Sequence, residues 1–234
     1  MREILVKYFS DYGITLSQEQ IENYEKYYEL LIEWNNKFNL TSITEKKDVV
    51  IKHFLDSVLC YKLIKDGSSI VDVGTGAGFP ALPLKILNPT LKVTLVDSLN
   101  KRVVFLNEVV KALNLKDVTC IHSRAEDFAH TKQRESFDYC VARAVARLDT
   151  LSEYCLPMVR VGGHFIALKG EDGENEVSIA SKAITTLGGK VKDIVILSLP
   201  EEYGKRKIVD IVKQSSTHNK YPRDKNKPKL QPIK

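Results

Sequence analysis

The spacing of apolar residues changes character along the 234 positions of the chain. Between residues 16 and 38, Ile21, Tyr24, Tyr28, Leu31 and Ile32 recur three or four apart with charged residues between them, which predicts an amphipathic helix. Ser17 stands in front of it as an N-cap. A second helix is expected over KKDVVIKHFLDSVLCYKL, residues 46–63. From residue 68 short apolar runs take over: SIVDV, KVTLVD, VTCI, FDYCVAR, HFIAL, KDIVIL and KIVDIVK. Amphipathic stretches separate most of them: PALPLKIL, NKRVVFLNEVVKALNL, DTLSEYCLPMV and ENEVSIASKAITTL. Strands alternating with helices predict βαβ units and a mostly parallel sheet. Only SLPEEYGKR joins the last two strands, too short for a crossover helix, so they form an antiparallel pair.

The resulting outline is a helical extension over residues 1–66, an α/β domain with a seven-stranded mixed sheet over 67–214, and a tail over 215–234. Nicotinamide-binding domains share much of this outline, so the fold alone does not choose a function. Composition narrows the field: 43% hydrophobic and 28% charged residues suit a soluble globular chain. No run is long and apolar enough for a membrane span, and the opening MREILVKYFSDYG lacks the apolar core of a signal peptide, so a cytoplasmic location is expected. Cys60, Cys120, Cys140 and Cys155 lie far apart, in no CxxC pair and near no histidine at ligand spacing; they read as reduced core thiols, and no metal is expected. Net charge is +5, yet residues 213–234 hold seven Lys/Arg against one Asp, leaving −1 for the rest. A basic end of this kind suits a phosphate backbone, or is simply a solvated terminus.

The candidate chemistry starts at Ile70–Pro80, IVDVGTGAGFP, a buried strand running into glycines. Ligands of open α/β sheets sit beyond the carboxyl ends of strands, where glycines let the backbone approach closely. The spacing is GxGxG, with Phe79 where a dinucleotide fingerprint wants its third glycine, which argues against a nicotinamide cofactor. With Asp72 in front, the motif resembles the first motif of the S-adenosylmethionine-dependent methyltransferases. Asp97 ends the second strand at the spacing from which an acid reaches ribose hydroxyls, and Ala125 and Glu126 follow the third strand as candidates for the adenine edge. The segment after the fourth strand, VARAVAR, carries Arg143 and Arg147 in place of the proline-aromatic motif of exocyclic-amine methylation, and no cysteine stands there as a nucleophile. A ring nitrogen with its own lone pair needs placement rather than a base, and arginine suits a guanine edge or a phosphate. The competing reading is a surface pair answering Asp149 or Glu153.

Together with these residues, WN at 34–35, NLTS at 39–42, KHFLDS at 52–57, VDSLNKR at 96–102, SRAE at 123–126, ALKG at 167–170 and KYPR at 220–223 resemble the bacterial 16S ribosomal RNA guanine-N(7) methyltransferase family over nearly the whole chain. The resemblance implies a class I, Rossmann-like S-adenosylmethionine-dependent methyltransferase with an N-terminal helical extension. It implies methyl transfer to ring nitrogen seven of a guanine in a decoding-region loop of 16S ribosomal RNA of the small subunit, with no membrane or metal, and a monomer is expected. Gly74, Phe79, Ala125, Glu126 and Arg143 match the family's cofactor positions; Asp72, Gly76 and Asp97 join them from the motif reading. Arg143 and Arg124 are the candidate catalytic residues. Arg124, Arg147, Lys169, Arg206, Lys220 and Arg223 are the candidates for RNA. His53 and Asp56 share a helix face without an assigned role, local capping or packing being the alternative. Ala81 and Asn226 depart from glycine in the pattern, and Asn226 can still adopt a left-handed turn. Methylation of another RNA site, a small molecule or a protein, and a ribosome-binding protein without turnover, are the readings left to exclude.

Overall fold

Strands β1 (Ser69–Val73), β2 (Lys92–Asp97), β3 (Val118–His122), β4 (Phe137–Arg143) and β5 (Val159–Lys169) run parallel, while β6 (Gly189–Ser198) and β7 (Lys205–Lys213) close the sheet as an antiparallel pair in the computed structural model, which describes residues 1–143, 146–171 and 173–234. The order is β3-β2-β1-β4-β5-β7-β6, with β7 inserted between β5 and β6. Connections run one way from β1 to β3 and the other way from β4, so the carboxyl ends of β1 and β4 flank the switch point where open sheets bind ligands. Strand β1 is covered on both faces, which is why it reads as an uninterrupted apolar run apart from Asp72.

Helix α1 (Arg2–Asp11) precedes α2 (Gln18–Phe38), whose start is a capping box: Ser17 Oγ accepts from Gln20 N–H and Gln20 Oε1 from Ser17 N–H. The expected second helix is three geometries in one run: α3 (Lys46–Asp48), a π-helical stretch (Val49–Leu55) and α4 (Asp56–Val58), followed by a 3₁₀ turn (Tyr61–Leu63). A π segment is rare, costs backbone hydrogen-bond quality and recurs at functional sites. Helices α5 (Ala81–Leu87), α6 (Asn100–Ala112), α7 (Ala125–Phe128), α8 (Leu148–Cys155) and α9 (Gly173–Thr186) link the strands. The helix expected over residues 149–159 ends early, as a 3₁₀ turn (Leu156–Met158), because Pro157 has no N–H to donate to an α-helical ladder. Strand β5 then begins at Val159, five residues before the expected HFIAL.

The extension is not a separate body. Leu5, Tyr24, Tyr27 and Leu31 share one core with Leu82, Phe105, Ile70 and Leu95, so the first 66 residues cover the face of the sheet that α5 and α6 also cover. A second core, on the other face, gathers Val71, Cys140, Phe165 and Val209 with Leu151, Cys155 and Ile184, and Tyr221 of the tail belongs to it. The tail is therefore docked. Arg134 donates to the carbonyls of Tyr221 (2.8 Å) and Thr217 (2.9 Å), His130 pairs with Pro222 O, and the buried Lys213 ammonium bonds Thr217 Oγ1 at 2.7 Å and pairs with Glu135. Burial pushes the Lys213 ammonium down to about 8. Helix α10 (Lys227–Leu230) ends the fold, entered through Asn226 in the left-handed conformation (φ 59°) expected for a glycine substitute. Among the described residues no helix is long and apolar enough to cross a membrane.

Candidate cofactor and substrate site

Strand β1 delivers the glycine loop to the switch point. Gly74, Gly76 and Gly78 have φ of 67°, 62° and 97°, values that side chains with a Cβ rarely adopt. The N–H groups of Gly74 and Thr75 bond Val96 O and staple the loop to β2. Asp72 Oδ2 accepts from Thr75 Oγ1 (2.8 Å) and from Ala81 N–H (3.0 Å), tying the end of β1 to the start of α5. Ala81, the departure from glycine, thus keeps the one contact its backbone makes there. The other oxygen, Asp72 Oδ1, is buried with no partner among the described residues, and burial raises this carboxyl to about 7. From the opposite side Tyr27 hydroxyl donates to Ala77 O, and Tyr24 hydroxyl to Pro83 O at 2.8 Å, so α2 braces the loop and α5.

Next to the loop lies a cleft of about 460 Å³ whose walls include Gly74, Leu99, Ala125, Glu126, Thr150 and Tyr154. S-adenosylmethionine fits this set of groups. Behind Gly74 the buried Asp72 Oδ1 lacks a partner among the described residues and suits an ammonium, a Cβ at Gly76 would project into open space, and Glu126, only 6% exposed, offers an acceptor to a base amine. Burial and the Glu126 carboxylate hold the Tyr154 phenol protonated, up to about 12, so it remains a donor.

Two of the expected cofactor residues make their visible contacts within the chain. Asp97, expected at a ribose, accepts at Oδ2 from Gly76 N–H (2.9 Å) and Arg102 (3.2 Å) and at Oδ1 from Leu99 N–H (2.9 Å); it holds the loop and the start of α6, while Ser98 and Leu99 form the adjoining wall. The ring of Phe79 does not face the cleft. It stacks on His53 (4.4 Å between centroids, 15° between planes) and Tyr27 (5.6 Å), with the Arg143 guanidinium 5.1 Å over it.

Arg143, last residue of β4, is locked in place. Its Nη1 donates to Lys52 O (3.0 Å), His53 O (3.3 Å) and Asp56 Oδ2 (3.0 Å), and its Nη2 to His53 Nδ1 (3.3 Å). The π segment turns those two carbonyls and the imidazole toward one guanidinium, which answers why KHFLDS takes this geometry. Since Nδ1 faces a donor, the imidazole proton sits on Nε2, which pairs with Thr41 Oγ1 at 2.9 Å. Burial first, then the Arg143 charge, pushes the His53 imidazole down to about 3, so it is neutral. Asp56 bridges Arg143 to Arg206, whose Nε reaches Oδ1 at 2.9 Å. A second cleft of about 460 Å³ opens here, between Lys52, His53, Asp56, Arg143 and Lys169.

The candidate RNA residues divide. Arg124 is exposed on the rim of the cofactor cleft without an ion-pair partner among the described residues, and Lys220 is exposed on the tail. Arg147 is also exposed, at 63% of its side chain, and pairs with Asp149, which is the local answer weighed for it. Lys169 is buried and spent on Glu176 (2.6 Å) and Ala146 O (2.8 Å); Arg206 is spent on Asp56. Arg223 is engaged inside the chain: its guanidinium and its N–H grip Glu153, 1% exposed, at 2.7–2.9 Å, which anchors the tail. Ala144 and Val145 of the arginine segment lie outside the described residues. Not expected from the sequence are Tyr154, Thr150 and the tail residues Asn226 and Lys229 on the cleft wall, and Tyr27, which braces the loop from behind. Tyr27 belongs to the apolar stripe of α2 and carries no signal beyond it; the others meet the loop only through chain return.

A model of the family described as rRNA small subunit methyltransferase G matches residues 20–209. Ribosomal RNA small subunit methyltransferase G of Staphylococcus saprophyticus is 50% identical, covering 98% of this chain and 97% of its own. The protein of the same name from Bacillus licheniformis is 51% identical over 94% of each chain. Among solved structures, a SAM-dependent methyltransferase from Aquifex aeolicus superposes with a TM-score of 0.55 at 17% identity, covering 74% of this chain and 97% of that one, a likeness of fold.

Proposed function

The chain belongs to the rRNA small subunit methyltransferase G family, and from that premise we propose that it methylates ring nitrogen seven of a guanine in a decoding-region loop of 16S ribosomal RNA, presented by the small subunit. When bound, S-adenosylmethionine supplies an electrophilic methyl group on a sulfonium. The glycine loop and Asp72 hold its amino-acid end, and the cleft at Ala125 and Glu126 its nucleoside.

The observation that carries the choice of acceptor is the state of the groups around Arg143. His53 is neutral with Nδ1 engaged by Arg143; both Asp56 oxygens accept from arginines; Glu176 accepts from Lys169 and from Leu148 N–H. Among the described residues His53 Nδ1 and both Asp56 oxygens, the acceptors nearest Arg143, are thus engaged inside the chain, which suits a nucleophile that keeps its own lone pair and needs no proton removed. Buried Cys140 and Cys155 suit packing, and burial raises the Cys140 thiol well above the range of an attacking thiolate. The protein's contribution is then placement, an effect worth up to about 7–11 kcal/mol of barrier. Arg143 acts from inside, fixing His53 and the Phe79 ring against the loop. Arg124, Arg147 and Lys220 are the exposed charges left for RNA.

The test is transfer of labelled methyl to small subunits that lack their modifications, followed by mapping of the labelled base. Label on one guanine, at nitrogen seven, is the expected result. Label on an adenine, a cytosine or an exocyclic amine overturns the assignment.

A further inference from the structure

The basic tail reads as an RNA tether in sequence, yet it lies on the cofactor cleft. Asn226 and Lys229 line that cleft together with Gly74, Arg124 and Glu126. Their side-chain amide and ammonium make no hydrogen bond or ion pair among the described residues, so both line the cleft, exposed, with donors unspent. The segment is held there by contacts with the body of the domain. Arg223 is clamped on the buried Glu153 and donates to Gln231 O at 2.8 Å, and Thr150 hydroxyl, itself on the cleft wall, donates to Pro228 O at 3.1 Å. Pro228 is buried, and Asn226 takes a left-handed φ that turns the chain over the opening.

We propose that the C-terminal segment is a wall of the cofactor site, with Asn226 and Lys229 as donors to the nucleoside of S-adenosylmethionine and the Arg223–Glu153 pair as the positioning device that keeps them there. The chemistry matches. An adenine edge carries ring-nitrogen acceptors beside one amine; the sequence-predicted wall at Ala125 and Glu126 supplies an acceptor for the amine, and the tail supplies donors for the ring nitrogens. Losing the wall therefore weakens cofactor binding before RNA is involved. The proposal rests on the methyltransferase reading, and its test separates the two.

The experiment is calorimetry of full-length protein with S-adenosylhomocysteine, in the absence of RNA, on the parent, on an Asn226→Ala/Lys229→Ala double variant and on Arg223→Ala. The double variant changes only exposed side chains and keeps the clamp; it is expected to bind roughly three- to tenfold more weakly, the effect of one or two lost hydrogen bonds. Arg223→Ala is expected to lose more, and hydrogen exchange of residues 226–230, slowed by the ligand in the parent, should no longer respond. Should Arg223→Ala unfold, the double variant still decides. A double variant that binds as tightly as the parent, with residues 226–230 unprotected by ligand in both, overturns the proposal. A parent that does not bind S-adenosylhomocysteine overturns the methyltransferase reading itself.

Discussion

Two buried groups within the Arg143 neighbourhood hold protonation states opposite in kind, and they leave a signature in stability. His53 in the folded chain refuses a proton down to about 3, against an ordinary 6.5, so below 6.5 the unfolded chain binds more protons and the His53 contribution falls as pH falls. Asp72 keeps its proton up to about 7, against an ordinary 3.8, so its contribution falls as pH rises between those values. The two slopes cancel between roughly pH 4 and 6.5 in the parent. Removing one partner exposes the other. His53→Gln should lose stability relative to the parent as pH rises through this window, and Asp72→Asn should gain it, each by roughly 1.4 kcal/mol per pH unit at most. Urea unfolding at half-unit pH steps measures both, and variants whose slopes match the parent's would refute the assigned states. An ammonium beside Asp72 favours the ionised form, which is how a group held neutral in the free chain becomes a binding group at pH 7.

The glycine loop shows how one element carries separable demands. At Gly78 a Cβ would stand 2.5 Å from Leu82 Cδ1 and from the Tyr27 hydroxyl, at φ 97°. At Gly76 it would meet nothing within 4 Å, at φ 62°. Gly78→Ala must displace the brace that α2 provides and is expected to cost roughly 2–4 kcal/mol. Gly76→Ala incurs only the left-handed backbone penalty, about 1–2 kcal/mol, yet places a methyl group where the ligand approaches. Thermal unfolding beside S-adenosylhomocysteine titration separates them: the first variant should lose stability, the second should remain folded and bind at least tenfold more weakly, as a group misplaced in the site implies. Equal binding by Gly76→Ala would mean that the loop does not touch the cofactor.

Across the whole molecule, charge that looks uniform in the sequence is sorted by the fold into spent and available. Lys169, Arg206, Lys213 and Arg223 are each engaged inside the chain, while Arg124, Arg147 and Lys220 are exposed. Binding to modification-free small subunits, measured against salt, should show this partition. Neutralising Arg124 or Lys220 is expected to reduce the salt slope by about one phosphate contact each, whereas Arg206→Gln should leave the slope and act through Asp56 and Arg143. A slope equally sensitive to Arg206 and Lys220 would show that the exposed set is not the RNA face.

Sequence alone determined the order of strands and helices and the place of the glycine loop. Capping chemistry at Ser17, the alternation of strand and helix, the short connection before the last strand and the positive-φ glycines are local, set by a few neighbouring residues, and they reappear at their expected places. Tertiary structure decided which charged groups stay free. Asp97 turns to the loop, Arg223 to Glu153, Arg143 to a π segment some ninety residues earlier, and the tail to the cleft. Each is a pairing between residues distant in the chain, chosen because a buried charge or donor must find a partner wherever the fold brings one, and local pattern carries no record of that partner.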